Sequence, residues 1–301
     1  MNRRTFTQAL GAAAFSAAAP MPSSGAAAPA AKLPPYSLSV MLWTAFPKLP
    51  FVEQLEKVAE AGYNQVQLVG EYRLKNWTAD DYARANAARK RLGMRIDTTA
   101  GLAHGVADPA ARDAFLADLR DALKSMETLG TSDIIVLSGD VVPGLARETQ
   151  HQSCVETLKR AAAMVEGKQI DGRPVRIQFE TIDPLENPKY YLTSMIENFE
   201  VVRAVNHPQV RALYDFFHEQ IAEGNLIAKL EKNMDILGLV HVADVPGRHH
   251  PGSGEINYGN IFRKLAELNY QHTIAMEFVP LGDGVAELRK AKELALSAGA
   301  V

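Results

Sequence analysis

Cysteine is almost missing from this chain. Among 301 residues there is one, Cys154, so no disulfide can close within the chain and no thiolate metal cluster can form. Cys154 reads as a core residue of a helix. An excess of positive charge is missing too: 32 basic side chains stand against 35 acidic ones, for a net charge of −3, without the basic footprint a nucleic-acid binder carries. The Ala-rich run at 9–19 is shorter than the ~20 apolar residues a spanning helix needs, so no stable membrane anchor is expected. No glycine-rich phosphate loop follows the first apolar run, where the sequence is Leu42-Trp43-Thr44-Ala45-Phe46-Pro47; an open doubly wound sheet would favour one there. What is present is 47% apolar and 22% charged residues, the balance of a globular protein with a proper core.

The amino terminus reads as a targeting segment. Asn2-Arg3-Arg4-Thr5-Phe6-Thr7 sets an arginine pair before a phenylalanine, and a weakly apolar Ala-rich run and a small-residue stretch at 23–31 follow. This is the layout of a signal peptide, and the arginine pair points to the twin-arginine route and a periplasmic destination. A disordered Ala/Pro tail is the alternative. Residues 1–31 are therefore assigned to signal and linker, and 32–301 to one domain.

After Leu33 short apolar runs alternate with amphipathic ones. Strands are expected over 37–42, 65–69, 94–98, 133–137, 175–179, 210–214, 239–243 and 273–278, and helices over 50–61, 78–92, 109–129, 147–166, 193–205, 225–237, 256–268 and 285–297. Thr78 before Asp80 and Asp81 is an N-cap with acids in the first turn, and Asp108-Pro109 is an N-cap with proline at the first helical position. Gly62, Gly93 and Gly130 follow helices, where a left-handed residue fits. The strands are nearly continuous apolar runs, so both faces are buried. Eight strand-then-helix units at a spacing of roughly 30 residues fit an α/β fold, the (β/α)8 TIM barrel.

In such a barrel the active site lies at the carboxyl ends of the strands. Strand 5 ends in Glu180, strand 6 in Asp215 with His218 three residues on, strand 7 carries His241 and then Asp244, and strand 8 ends in Glu277. A lone carboxylate there is commonly a cap or a solvated loop residue. Four successive strands delivering acids or imidazole to one rim are harder to dismiss, because Glu180 and Glu277 sit in or just after apolar strands, where an unpaired carboxylate is costly. Three carboxylates and one imidazole suit a divalent cation, Mn²⁺ or Mg²⁺ first, with Co²⁺ or Zn²⁺ accessible.

The run HVADVPGRHHPGSGEINY, with YDFFH before it and MEF after it, resembles the hydroxypyruvate isomerase family of the xylose isomerase-like TIM barrels. The superfamily also includes ketose 3-epimerases. The resemblance covers nearly all of the chain after Leu33. It implies a metal held by Glu180, Asp215, His241 and Glu277. Hydroxypyruvate isomerases usually have glutamine at the position of His241, where ketose epimerases have histidine. Family members tend to follow the first glutamate with Pro-Ile-Asn, whereas here Thr181-Ile182-Asp183-Pro184 follows Glu180.

The chemistry expected is removal of a proton beside a carbonyl, with Glu180 and Glu277 as the acid/base pair on opposite sides of a small hydroxy-carbonyl or sugar substrate. His218 is a candidate contact to a substrate oxygen, with packing at a helix start as the competing role. Arg248 is a candidate fork for a substrate carboxylate, with an ion pair to Glu255 as the alternative. Glu255 reads as a loop organiser first and a catalytic group second. Trp43, with Phe46, reads as a pocket wall or as core packing, and His104 as a lining residue. His249 and His250 read as exposed. Epimerisation of free ketoses and a binding barrel without turnover remain the competing functions. Barrels of this superfamily often associate, and nothing in the sequence fixes a symmetry.

Overall fold

A computed structural model describes residues 33–68 and 76–300. The export segment expected at 1–31 and Val69, the last residue of the second expected strand, lie outside the described residues. Eight parallel strands close into a barrel: β1 (Ser37–Met41), β2 (Gln65–Leu68), β3 (Arg95–Thr99), β4 (Asp133–Leu137), β5 (Arg176–Glu180), β6 (Val210–Asp215), β7 (Leu237–Val242) and β8 (Thr273–Met276). Each pairs with its neighbour in sequence, and β8 closes on β1. This is the (β/α)8 TIM barrel that the alternation of strand and helix predicts.

The helices are α1 (Phe51–Glu60), α2 (Ala79–Arg91), α3 (Arg112–Leu129), α4 (Arg147–Val165), α5 (Met195–Val205), α6 (Phe216–Ala222), α7 (Leu226–Asn233), α8 (Tyr258–Glu267) and α9 (Gly284–Ala298). Thr78 and Asp81 form a reciprocal capping box at the start of α2, satisfying two backbone donors the helix leaves open. Gly62, Gly93 and Gly130 all adopt positive φ after their helices. Cys154 is buried in α4, and burial, helped by Glu197, pushes its thiol up to about 12, so it stays an unreactive core residue.

Two features depart from expectation. A hairpin of Gln169–Ile170 with Arg173–Pro174 precedes β5; its turn is Asp171-Gly172, both at positive φ, the backbone a two-residue hairpin needs. Between β6 and β7 stand two helices rather than one. The additional helix, α6, starts directly at Asp215, whose Oδ1 accepts from the N–H groups of Phe217 and His218 at 2.8 and 3.4 Å.

Most of the core lies between the sheet and the helices. A smaller cluster of Met41, Ile135, Leu213 and Leu239 fills the barrel interior, with Trp43, Ala100 and Leu137 against it. Side chains two apart on a strand share a face, so Gln178 and Glu180 follow Arg176 inward along β5, and Leu213 and Asp215 follow Arg211 along β6. Polar groups thus gather above and below an apolar plug. No helix among the described residues is long and apolar enough to cross a membrane.

Candidate metal centre and active site

At the carboxyl mouth the barrel brings Glu180, Asp215, His241 and Glu277 together. One ligand atom from each lies within 4.8 Å of all the others, and the four residues are at most 6% exposed. They arrive from four consecutive strand ends: Glu180 and Asp215 close β5 and β6, His241 pairs with Asp215 from β7, and Glu277 directly follows β8.

The protonation of His241 follows from its neighbours. Its Nε2 lies 2.9 Å from Gln67 Oε1. The Gln67 amide is itself fixed, because its Nε2 donates to Asp97 Oδ2 at 3.2 Å and to Thr98 Oγ1 at 3.3 Å, and Asp97 also accepts from Ser39 Oγ at 2.6 Å. Oε1 can only accept, so His241 carries a hydrogen on Nε2. In the neutral ring, Nδ1 then presents a lone pair to Glu277 Oε2 at 2.8 Å and Glu180 Oε1 at 3.6 Å.

Three atoms here are buried without a hydrogen-bond partner: Asp215 Oδ2, His241 Nδ1 and Glu277 Oε2. Arg248 Nη2 is 3.0 Å from Glu277 Oε2 and 3.8 Å from Asp215 Oδ2, but this is charge contact without hydrogen-bond alignment. Three carboxylates face one guanidinium, and unpaired buried lone pairs are expensive. Without a metal, the missing positive charge is a proton on His241: burial works against it, but Glu277 and Glu180 outweigh burial and push the imidazole up to about 10. A divalent cation would satisfy the orphaned atoms together. Three oxygens and one nitrogen are a donor set that Mn²⁺, Mg²⁺ or Co²⁺ accepts. The residues present fit the ion.

The two glutamates are not equivalent. Trp43 Nε1 donates to Glu277 Oε1 at 2.8 Å. Burial would raise the Glu277 carboxyl, yet Arg248 and His241 hold it far below the usual range. Burial raises Glu180, and the hydrogen-bonding pull of His241 only partly offsets this. Glu277 is therefore the tied, weakly basic carboxylate and Glu180 the proton-hungry one.

His218 is buried beside the cluster. Its Nδ1 lies 2.6 Å from Asp183 Oδ2, and its Nε2 is 3.6 Å from Asp215 Oδ2 and 3.5 Å from Arg248 Nη1. Burial disfavours its charge, but Asp215 and Asp183 leave its affinity for a proton raised. Asp183 Oδ1 also accepts the N–H groups of Leu185 and Glu186, both at 2.9 Å. Asp183, Glu186 and His218 lie close enough together to be considered for a metal, but these bonds already occupy Asp183 and the inner imidazole nitrogen.

The loop after β7 has a different organiser from the one expected. Asp244, not Glu255, ties it: Oδ1 accepts from Val245 N and Ile256 N, both at 3.0 Å, and Oδ2 from Gly252 N at 2.9 Å. Gly254 lets the chain pass, since a Cβ there would stand 2.1 Å from Val245 O. Glu255 is exposed and accepts from Gln220 Nε2 at 3.0 Å. Arg248 does not pair with it. Held at φ 58, Arg248 reaches Glu277 and, through Nη1, Glu186 Oε2 at 3.1 Å, and stacks between Trp43 and Phe217 at 5.1 and 4.9 Å from the ring centres. Trp43 therefore lines the site. His104 does not join the cluster: its exposed imidazole is taken up by Asp118 Oδ2 at 2.9 Å. His249 and His250 are half-buried. Gln67, Asp183, Glu186 and Asp244 are the members of the site without a role in the sequence reading; the departure at Thr181-Ile182-Asp183 was the one signal for Asp183.

The profile of the family described as xylose isomerase-like TIM barrel matches residues 55–294. The chain is 30% identical to the 2-oxo-tetronate isomerase of Haemophilus influenzae over 251 residues, covering 81% of this chain and 93% of that protein. It is 27% identical to the hydroxypyruvate isomerase of Escherichia coli, covering 83% and 96%. Among solved structures, an AP endonuclease, family 2, from Brucella melitensis superposes with a TM-score of 0.75 at 26% identity, covering 84% of this chain and 96% of that one. The chain belongs to the xylose isomerase-like TIM barrel family.

Proposed function

We propose that this member of the xylose isomerase-like TIM barrel family is an isomerase of small hydroxy-keto acids that interconverts a hydroxy-ketone with its hydroxy-aldehyde isomer, as in hydroxypyruvate and tartronate semialdehyde. The relatives named as isomerases of such acids support the class. The observation that carries the reaction is the convergence of Glu180, Asp215, His241 and Glu277 with three buried polar atoms unpartnered.

A divalent cation held by these four residues would act as a Lewis acid on the carbonyl and stabilise the enediolate formed when the neighbouring carbon loses its proton. Glu180 is the base. Its raised affinity for a proton suits it to take the hydrogen from the hydroxyl-bearing carbon and return it to the adjacent carbon, so that no co-reactant is needed. Glu277, tied by Trp43 and Arg248, serves as ligand and as the fixed negative wall opposite. Arg248 offers its guanidinium edge to the substrate carboxylate. His218, held by Asp183, presents Nε2 to a substrate oxygen and can donate or accept a proton there.

Elemental analysis of the purified protein tests the reading. About one Mn, Mg, Co or Zn per chain, lost in Glu180→Gln/Asp215→Asn, is expected; no metal taken up even on addition would remove the Lewis acid. A second reading, 3-epimerisation of free ketoses, is favoured by histidine at position 241. It moves the same proton chemistry to another carbon, and turnover of free ketoses without turnover of hydroxypyruvate would select it. The arginine pair near the amino terminus supports export by the twin-arginine route, which cell fractionation tests.

A further inference from the structure

The amino-terminal floor of the barrel has a charge pattern opposite to that of the mouth. On the inward faces of β5 and β6 the mouth residues are Glu180 and Asp215, and the floor residues, four positions earlier, are Arg176 and Arg211. A cavity of about 300 Å³ opens there, lined by Arg95, Arg173 and Arg176 together with Asp97 and Asp133. An adjoining hollow of about 410 Å³ shares Arg176 and His272 and adds Arg211 and Lys168, with no carboxylate in its wall.

These guanidinium groups make few direct ion pairs, although Asp97 lies near enough to interact with Arg95 and Asp133 with Arg176. Among the described residues, no carboxylate oxygen lies within 4.0 Å of Arg95, Arg176 or Arg211, and Arg173 has only Asp171, at 4.0 Å. Arg173 donates to Gly130 O at 2.6 Å, Arg211 to Leu237 O at 3.2 Å and Arg95 Nη2 to Gln65 Oε1 at 2.5 Å. Arg95 Nε is buried with no partner at all. The two acids in the wall are already committed. Asp97 accepts from Ser39, Gln67 and Thr98, and Asp133 from Ser132 and Gln178. Burial raises both carboxyls, opposed in part by Arg95 beside Asp97 and by Arg176 beside Asp133. Burial and neighbouring guanidinium groups lower Arg173 and Arg211 and bring His272 down to about 4. Arg176 Nη1 meets His272 Nδ1 at 3.3 Å, so each guanidinium has a neutral partner, and mutually repelling cations held mainly by neutral partners around adjoining hollows are what a bound anion relieves.

We propose that the floor of the barrel is a second binding site, for a compact multivalent oxyanion of the phosphate type, held by Arg95, Arg173, Arg176 and Arg211. Guanidinium forks arriving from different strands suit a tetrahedral group whose oxygens point in several directions. The site lies at the opposite end of the strands from Glu180 and does not depend on the reaction assigned to the mouth. The oxyanion is either free phosphate or the phosphate group of a metabolite.

Titration calorimetry of the metal-loaded protein at constant ionic strength tests this, with inorganic phosphate and glycerol 2-phosphate as probes. One phosphate per chain is expected, weakened about tenfold or more in Arg176→Gln and in Arg211→Gln, and unchanged in Arg248→Gln at the mouth. Binding of both probes assigns the site to a phosphate group in general; binding of inorganic phosphate alone assigns it to the free ion. Arg176→Lys keeps the charge but not the fork and should weaken binding by a smaller factor, so the test survives if a glutamine variant fails to fold. No binding up to about 20 mM, or binding that persists in both floor variants, would overturn the proposal.

Discussion

Replacing Gln67 with leucine isolates one hydrogen bond. Gln67 is fully buried, and leucine has nearly its volume, so little cavity is made. The substitution removes the acceptor 2.9 Å from His241 Nε2 and the donors to Asp97 and Thr98. Asp97 keeps Ser39 and Thr98, whereas the Nε2–H of His241 is left buried and unpaired, at a cost of about 1–3 kcal/mol. Without that acceptor the tautomer presenting Nδ1 to the cluster is no longer fixed. Losing such an outer partner weakens metal binding about 10–100-fold, or about 1.4–2.7 kcal/mol. Calorimetric titration of metal-free protein with Mn²⁺ should show that loss. Thr98→Val, which touches the same network but not His241, should leave the Kd nearly unchanged. A Gln67→Leu variant that folds and binds Mn²⁺ as tightly as the parent would refute the argument that Gln67 sets the imidazole.

Other consequences follow from the same geometry. Glu180→Gln should lower kcat about 10²–10⁴-fold while still binding metal more weakly through the other three residues, as steady-state kinetics and metal analysis would report. Metal affinity should depend on pH. The metal-free protein holds a proton on His241 until about 10, against an ordinary 6.5, and the metal must displace it, so affinity should rise about tenfold per pH unit across that window and level off above it. The same shift makes the His241 contact's contribution to the metal-free fold fully present below pH 6.5 and lost as pH rises through about 10, so thermal melts of that form should fall as metal affinity rises. Gly254→Ala places a Cβ 2.1 Å from Val245 O and should cost about 1–3 kcal/mol in urea denaturation, while loosening the loop that carries Arg248 and so raising KM.

The barrel was legible because the apolar runs, the caps at Thr78 and Asp108 and the glycines after helices are local signals, and each residue's neighbours decide them. The convergence of Glu180, Asp215, His241 and Glu277 followed from topology, since strand ends in a closed barrel share one rim. What the sequence hid was long-range pairing. Gln67 meets His241 across 174 positions, and no spacing rule links β2 to β7. The sequence offers Arg248 as a fork for a substrate carboxylate or as a partner of Glu255; the fold, with Arg248 at positive φ, turns it instead toward Glu277 and Glu186. Asp244 precedes a turn and Glu255 a helix; only the fold shows that Asp244 is buried and meets three backbone donors. The hairpin before β5 carried a readable mark, Asp171-Gly172, between strands too short to show alternation.

Solvent-deuterium exchange into hydroxypyruvate, followed by proton NMR with the Mn²⁺ removed by chelation before measurement, tests the central claim most directly. The metal-loaded protein should place deuterium at the hydroxymethyl carbon and convert the substrate to its aldehyde isomer, while Glu180→Gln, folded and metal-loaded, should do neither. Exchange at the parental rate in Glu180→Gln would contradict the assignment of Glu180 as the base around which the site is built.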